Sequence, residues 1–73
     1  MKYKVTAQAY ERDTFQKAGK EREEIIDTET NSLFDKVMDD PFQIRQRYEH
    51  FWNDLNWSHS KRKVFVIAVT KVT

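Results

Sequence analysis

Asp40-Pro41-Phe42-Gln43 opens the stretch that most constrains what this chain can fold into. An aspartate can accept from the orphaned amides of a first helical turn, and proline at the next position sacrifices no hydrogen bond. Gln43, three residues after the cap, completes the start signal. Beyond it Ile44, Tyr48, Phe51, Trp52 and Leu55 recur at the spacing of one helical face. The spacing predicts a helix over 41–55 whose apolar stripe must lie on a second layer.

Pleated segments at both ends can supply that layer. Residues 2–12 alternate, with Tyr3, Val5, Ala7 and Ala9 on one side and Lys2, Lys4, Thr6, Gln8 and Tyr10 on the other, the signature of a half-buried strand. Val64-Phe65-Val66-Ile67-Ala68-Val69 is rich in β-branched residues and reads as another strand. Lys17-Ala18-Gly19-Lys20 holds the only glycine and suits a hairpin tip that needs positive φ. A turn centred there predicts a strand over 21–29, with Ala9 opposite Thr28, Glu11 opposite Ile26, and Arg12 near Glu23 and Glu24. The competing reading of Lys20–Ile26 is a helix, since those residues are good helix formers. Asn31 or Ser32 can cap a short helix over 32–39, with Leu33, Phe34, Val37 and Met38 on one side. Residues 56–60 read as a loop.

The expected fold is a single α+β domain over 1–73, a small two-layer sandwich of order β-β-α-α-β. Its three-stranded antiparallel sheet has strand order 2-1-3, with both helices on one face. A chain of 73 residues buries only about 60% of its unfolded surface and, without cysteine, has no disulfide to help. Ten aromatic residues are the available compensation. No stretch of the sequence is apolar enough for a secretory signal or a membrane span, so a cytoplasmic setting is expected, with no membrane partner.

Charge is segregated along the chain. Residues 1–20 carry five basic and two acidic groups, residues 21–40 two and eight, and residues 41–73 six and two, which leaves a net charge of +1. Opposite blocks can neutralise one another across neighbouring strands or present two poles to a partner.

Motifs for catalysis are missing. One glycine allows no phosphate-cradling loop, there is no cysteine nucleophile, and Ser58 and Ser60 flank His59 without an elbow glycine. His50 and Asp54 share a side of the long helix, but with His59 they give at most three ligands, so no metal or cofactor is expected. A toxin-like ribonuclease using His50 or His59 beside lysine and arginine is the weakest of the functional readings.

Binding residues are easier to nominate. The outer side of the long helix carries Gln43, Gln46, His50 and Asn53 with Phe42, a stripe poor in charge and cheap to desolvate. Glu21, Glu23, Glu24 and Asp27 lie on an expected edge strand, able to meet a basic partner or to guard that edge against aggregation. Tyr10 between Lys4 and Arg12 is a plausible anchor. These features predict a non-enzymatic module acting stoichiometrically on a larger protein as a regulator, inhibitor or adaptor, of the kind phages and mobile elements use. The alternative is nucleic-acid binding through Trp57, His59, Lys61, Arg62 and Lys63, although a net charge near zero is unusual for that role. The expected state is a monomer, or a homodimer through the edge of the third strand or the apolar rim of the helix.

Overall fold

The computed structural model describes residues 1–31, 34, 40–57 and 60–72. Three strands, β1 (Lys2–Glu11), β2 (Arg22–Asp27) and β3 (Arg62–Lys71), form an antiparallel sheet of order β2-β1-β3. One helical segment covers it among the described residues. It runs as an α-helix, α1 (Pro41–His50), and continues as a wider π-wound stretch over Phe51–Asn56. The short helix expected over 32–39 falls outside the described residues except for Phe34. That side chain is buried in the core, and its amide donates to the Asn31 carbonyl at 3.0 Å.

The core forms where the alternation of β1 meets the stripe of α1. Tyr3, Val5, Ala7 and Ala9 pack with Ile26 of β2, Val64 and Val66 of β3, Phe34, and Ile44 and Tyr48 of α1. Asp40 caps the helix as its sequence predicts, its Oδ1 accepting from the Phe42 amide at 3.0 Å with Pro41 at the helix start.

The hairpin register departs from expectation. Tyr3 pairs with Ile26, Val5 with Glu24 and Ala7 with Arg22, a slide of eight residues from the pairing of Ala9 with Thr28. The chain turns earlier than its glycine suggests. The Glu11 amide donates to the Gln16 carbonyl and the Phe15 amide to the Glu11 carbonyl, both at 2.9 Å, which closes a tight loop around Arg12–Phe15. Tyr10 then bridges Lys17, the Ala18 amide donates to the Ala9 carbonyl at 2.9 Å, and residues 19–21 form a bulge before β2 begins. Gly19, at φ +81, lies in this bulge, where the buried Gln8 side chain donates to its carbonyl at 3.0 Å. Because the slide is even, Ile26 still reaches the core face.

A second irregularity lies in β3. Thr6 pairs with Ala68 and Ala7 with Val66, so Ile67 is an extra residue, a β-bulge. Val64 and Val66 therefore face the core, whereas Ile67 is 51% exposed.

The π-wound stretch rotates the end of the helix. Its i→i+5 bonding is closed by the Trp57 amide donating to the Trp52 carbonyl at 2.7 Å. Leu55, expected on the apolar stripe, is turned out and 60% exposed, whereas Asn53, expected on the outer side, is buried. No helix among the described residues is long and apolar enough to cross a membrane.

Candidate functional site

Lys63 and Phe65 alternate with Val64 and Val66 and so project from the sheet face opposite the core, where pairing brings Lys63 beside Tyr10. The Tyr10 and Phe65 rings meet edge-on with centroids 5.5 Å apart, and the Lys63 Nζ stands 5.3 Å from the Phe65 centroid, an ammonium held at a ring face. Tyr10, Glu11, Arg12, Phe15, Lys63 and Phe65 line one shallow cleft. A second depression begins at the same Lys63 and Phe65 and runs to Gln46, Glu49, His50, Asn53 and Asp54 of the helical segment. The two form a continuous ledge from the hairpin tip, across β3, to the helix.

Its parts are held firmly. Arg12 does not reach Glu23 or Glu24, as the expected register would require. Its Nε donates to the Arg62 carbonyl and its Nη2 to the Trp57 carbonyl, both at 3.1 Å, tying the hairpin tip to the start of β3. Arg62 Nε lies 3.3 Å from Glu11 Oε1, which offsets two charges at the rim. Phe15 adopts φ +58, a left-handed conformation that costs a non-glycine residue about 1–2 kcal/mol, and leaves its side chain largely in solvent.

The other nominated residues separate into distinct places. Gln46 and His50 are exposed on the ledge's helical side, where His50 Nδ1 sits 2.8 Å from Asp54 Oδ2. Asn53 is no surface contact. Its Nδ2 donates to the Val64 carbonyl at 2.9 Å and its Oδ1 accepts from the Val64 amide at 2.7 Å, so it stands in for a neighbouring strand. Glu49 extends this clasp, its Oε2 accepting from the Val66 amide at 2.8 Å. Phe42 does not join the glutamine stripe but lines a cleft with Pro41, Arg45 and Val66–Val69.

Nor do the acidic residues form one surface. Glu21 precedes β2 and is exposed. Glu23 lies on the open face, 3.9 Å from Lys4 Nζ, and Asp27 lies 3.9 Å from the amino terminus of Met1. Glu24 points to the helix-covered face beside Tyr48. Burial first, and then this carboxylate, push the tyrosine pKa above its ordinary value. Arg22 on the same face stacks its guanidinium 4.6 Å from the Trp52 ring. Neighbouring strands and helix thus offset much of the acidic block.

The basic cluster of 57–63 is likewise divided. Trp57 is half-buried against Trp52, centroids 5.2 Å apart, so it serves the core. Lys61 and Arg62 are exposed at the rim, Lys63 is on the ledge, and His59 lies outside the described residues.

Phe15 and Phe65 are the site residues that the sequence did not nominate. Phe65 is legible in retrospect as an odd member of an alternating strand, but a continuous apolar run conceals which members face out. Phe15, a lone phenylalanine among polar neighbours just before the glycine, carries only a weak signal. Comparison of the chain with family profiles, with curated proteins and with solved structures finds no match.

Proposed function

We propose that this chain is a non-enzymatic protein-binding module that acts stoichiometrically on a larger protein, as a small regulator, inhibitor or adaptor. Its contact surface is the ledge of Tyr10, Arg12, Phe15, Lys63 and Phe65, with Gln46 and His50 as a polar rim. The supporting observation is Phe15, a large apolar ring 70% exposed on strained backbone. Burying such a ring is worth roughly 1.5–3 kcal/mol, a gain the isolated chain forgoes and a partner's pocket would recover. Aromatic and arginine side chains are the usual energetic centres of protein interfaces, and tethered ones lose little freedom on binding. The action follows from occupation: a rigid ledge pressed on a larger surface excludes whatever else would bind there.

Phe15→Gly tests the reading with the fold protected, because glycine accepts positive φ without strain. Tagged wild-type chain incubated in its native lysate is expected to recover one protein in stoichiometric amount, and Phe15→Gly to lose it. Equal recovery by both would remove the ledge from consideration.

A second reading has one observation in its favour, the Lys63 ammonium over the Phe65 ring, which the Tyr10 ring meets edge-on, on an open sheet face. Such a platform can stack single-stranded bases and neutralise phosphate. It predicts binding of a single-stranded oligonucleotide that weakens steeply with added salt and is lost in Lys63→Ala. Binding insensitive to salt, or none at low salt, rules it out.

A further inference from the structure

The hairpin end of the ledge is more positive than the chain as a whole. The Arg12 amide donates to the Lys61 carbonyl at 2.7 Å, and Lys63 pairs with Tyr10, so Arg12, Lys61 and Lys63 come together there. All three are exposed, and no ion pair reaches any of them from a carboxylate among the described residues. Glu11, which lines the cleft, is engaged by Arg62, and Asp13 is exposed in the loop. The Arg12 guanidinium is fixed by the Arg62 and Trp57 carbonyls through Nε and Nη2. Those neutral acceptors leave its charge in place and its Nη1 without an acceptor among the described residues.

Beside these cations lies an apolar seat. The cleft walled by Tyr10, Phe15 and Phe65 has a volume of about 220 Å³. A drug-sized molecule needs roughly 300–1,000 Å³, so this cleft suits a single side chain. A long polyanion suits the surface less well. Glu49 and Asp54 border the ledge at its helical end, which confines the positive charge to the hairpin end. Single-strand binders track roughly 4–16 nucleotides, each with a phosphate, whereas three cations serve only a short cluster of anionic groups.

We propose that the occupant of the ledge is an acidic peptide segment of the partner that carries one large apolar side chain. The side chain fills the cleft against Phe15 and Phe65, and carboxylates on either side of it meet Arg12, Lys61 and Lys63. This inference rests on the reading of the ledge as a protein contact surface and adds the chemistry of what it holds. Arg12, fixed in advance, loses little freedom on taking a carboxylate at Nη1, while the two lysines pair as mobile point charges. Recognition thus combines apolar burial with ion pairs that added salt screens.

Titration of the isotope-labelled full chain, followed by nuclear magnetic resonance, reads the outcome with four probes. These are a peptide with one phenylalanine between short runs of glutamate, its counterpart with glutamine for glutamate, its counterpart with alanine for phenylalanine, and a short oligothymidylate. At low salt the glutamate–phenylalanine peptide is expected to shift the amides of Phe15, Lys63 and Phe65. The glutamine peptide should bind about tenfold more weakly, the worth of a few exposed ion pairs. Loss of the phenylalanine should weaken binding by at least as much. Lys61→Gln with Lys63→Gln should reduce the affinity of the acidic peptide alone, and Phe15→Gly that of the acidic and glutamine peptides alike. Equal binding of the acidic and glutamine peptides would overturn the inference and leave the ledge a protein contact surface. Equal binding of the phenylalanine and alanine peptides would reduce it to diffuse charge attraction and overturn it too. So would the absence of any ledge shift at about 1 mM acidic peptide, above the Kd of even weak specific contacts. In that case, recovery of a lysate protein that Phe15→Gly loses would still uphold the ledge without this occupant. Tighter binding of oligothymidylate than of the acidic peptide would overturn both readings in favour of nucleic acid.

Discussion

Both outer strands of the sheet present an edge, and they are protected in different ways. β2 is short and charged. Glu23 faces Lys4, Asp27 faces the amino terminus, and the side chains that reach the helix-covered side, Arg22 and Glu24, meet Trp52 and Tyr48. β3 is longer and mostly apolar, and over its first half the helix itself supplies the missing neighbour through Asn53 and Glu49. Charge guards an edge cheaply but contributes little to stability. A buried amide that satisfies two backbone groups contributes more and fixes where the helix sits. The helix is thus locked to β3, and the hairpin carrying β2 is held mainly by its ladder to β1.

The sharpest way to break this contrast is Asn53→Leu, which leaves the Val64 amide and carbonyl buried without partners. A loss of about 2–4 kcal/mol is expected, read as a fall in the urea midpoint at unchanged slope. A fall of under about 0.5 kcal/mol, the level of an ordinary surface substitution, would mean the clasp is incidental.

Glu49→Ala comes next, since one half-buried backbone donor loses a charged acceptor. About 1–2 kcal/mol should disappear, and Glu49→Gln, which keeps an acceptor, should restore part of it.

Alkaline titration probes the β2 side. The folded chain holds the Tyr48 proton more tightly than the unfolded chain does, because burial and then Glu24 disfavour the phenolate. That contribution is complete below the ordinary tyrosine pKa of about 10 and is lost as pH rises through the raised value. Wild type should therefore lose stability above that pH more steeply than Tyr48→Phe, and equal slopes would show that Tyr48 is not the responsible group.

The smallest effect belongs to Glu23→Ala, which removes an exposed contact to Lys4. A change below about 0.5 kcal/mol, shrinking further with salt, is the expected result. A larger loss than Glu49→Ala would invert the comparison.

Much of this architecture was readable from the chain. The alternation of Tyr3, Val5, Ala7 and Ala9, the Asp40-Pro41 start, and the Ile44/Tyr48 spacing are local patterns, so they mark strand and helix whatever surrounds them. Strand order 2-1-3 followed from the order of those elements and from the handedness of the helical crossover. The binding surface was legible only in pieces. Tyr10 and Arg12 were nominated as one group, Lys63 as part of another and Gln46 and His50 as a third, with nothing in the sequence to say that Phe65 joins them.

Three decisions belong to the tertiary structure alone. A period-two pattern is unchanged by a slide of eight residues, so alternation placed Ile26 in the core while leaving its partner open between Glu11 and Tyr3. The left-handed Phe15 turned the hairpin before Gly19 because loop closure and the Arg12 tether outweighed local preference. The π-wound turn exchanged Leu55 for Asn53 because Val64 offered two unmet backbone groups at the sheet edge, a demand that no periodicity along the helix records. Local sequence chose the elements. Hydrogen-bond satisfaction between elements distant in sequence chose their register and phase, and with them which side chains reach the surface together.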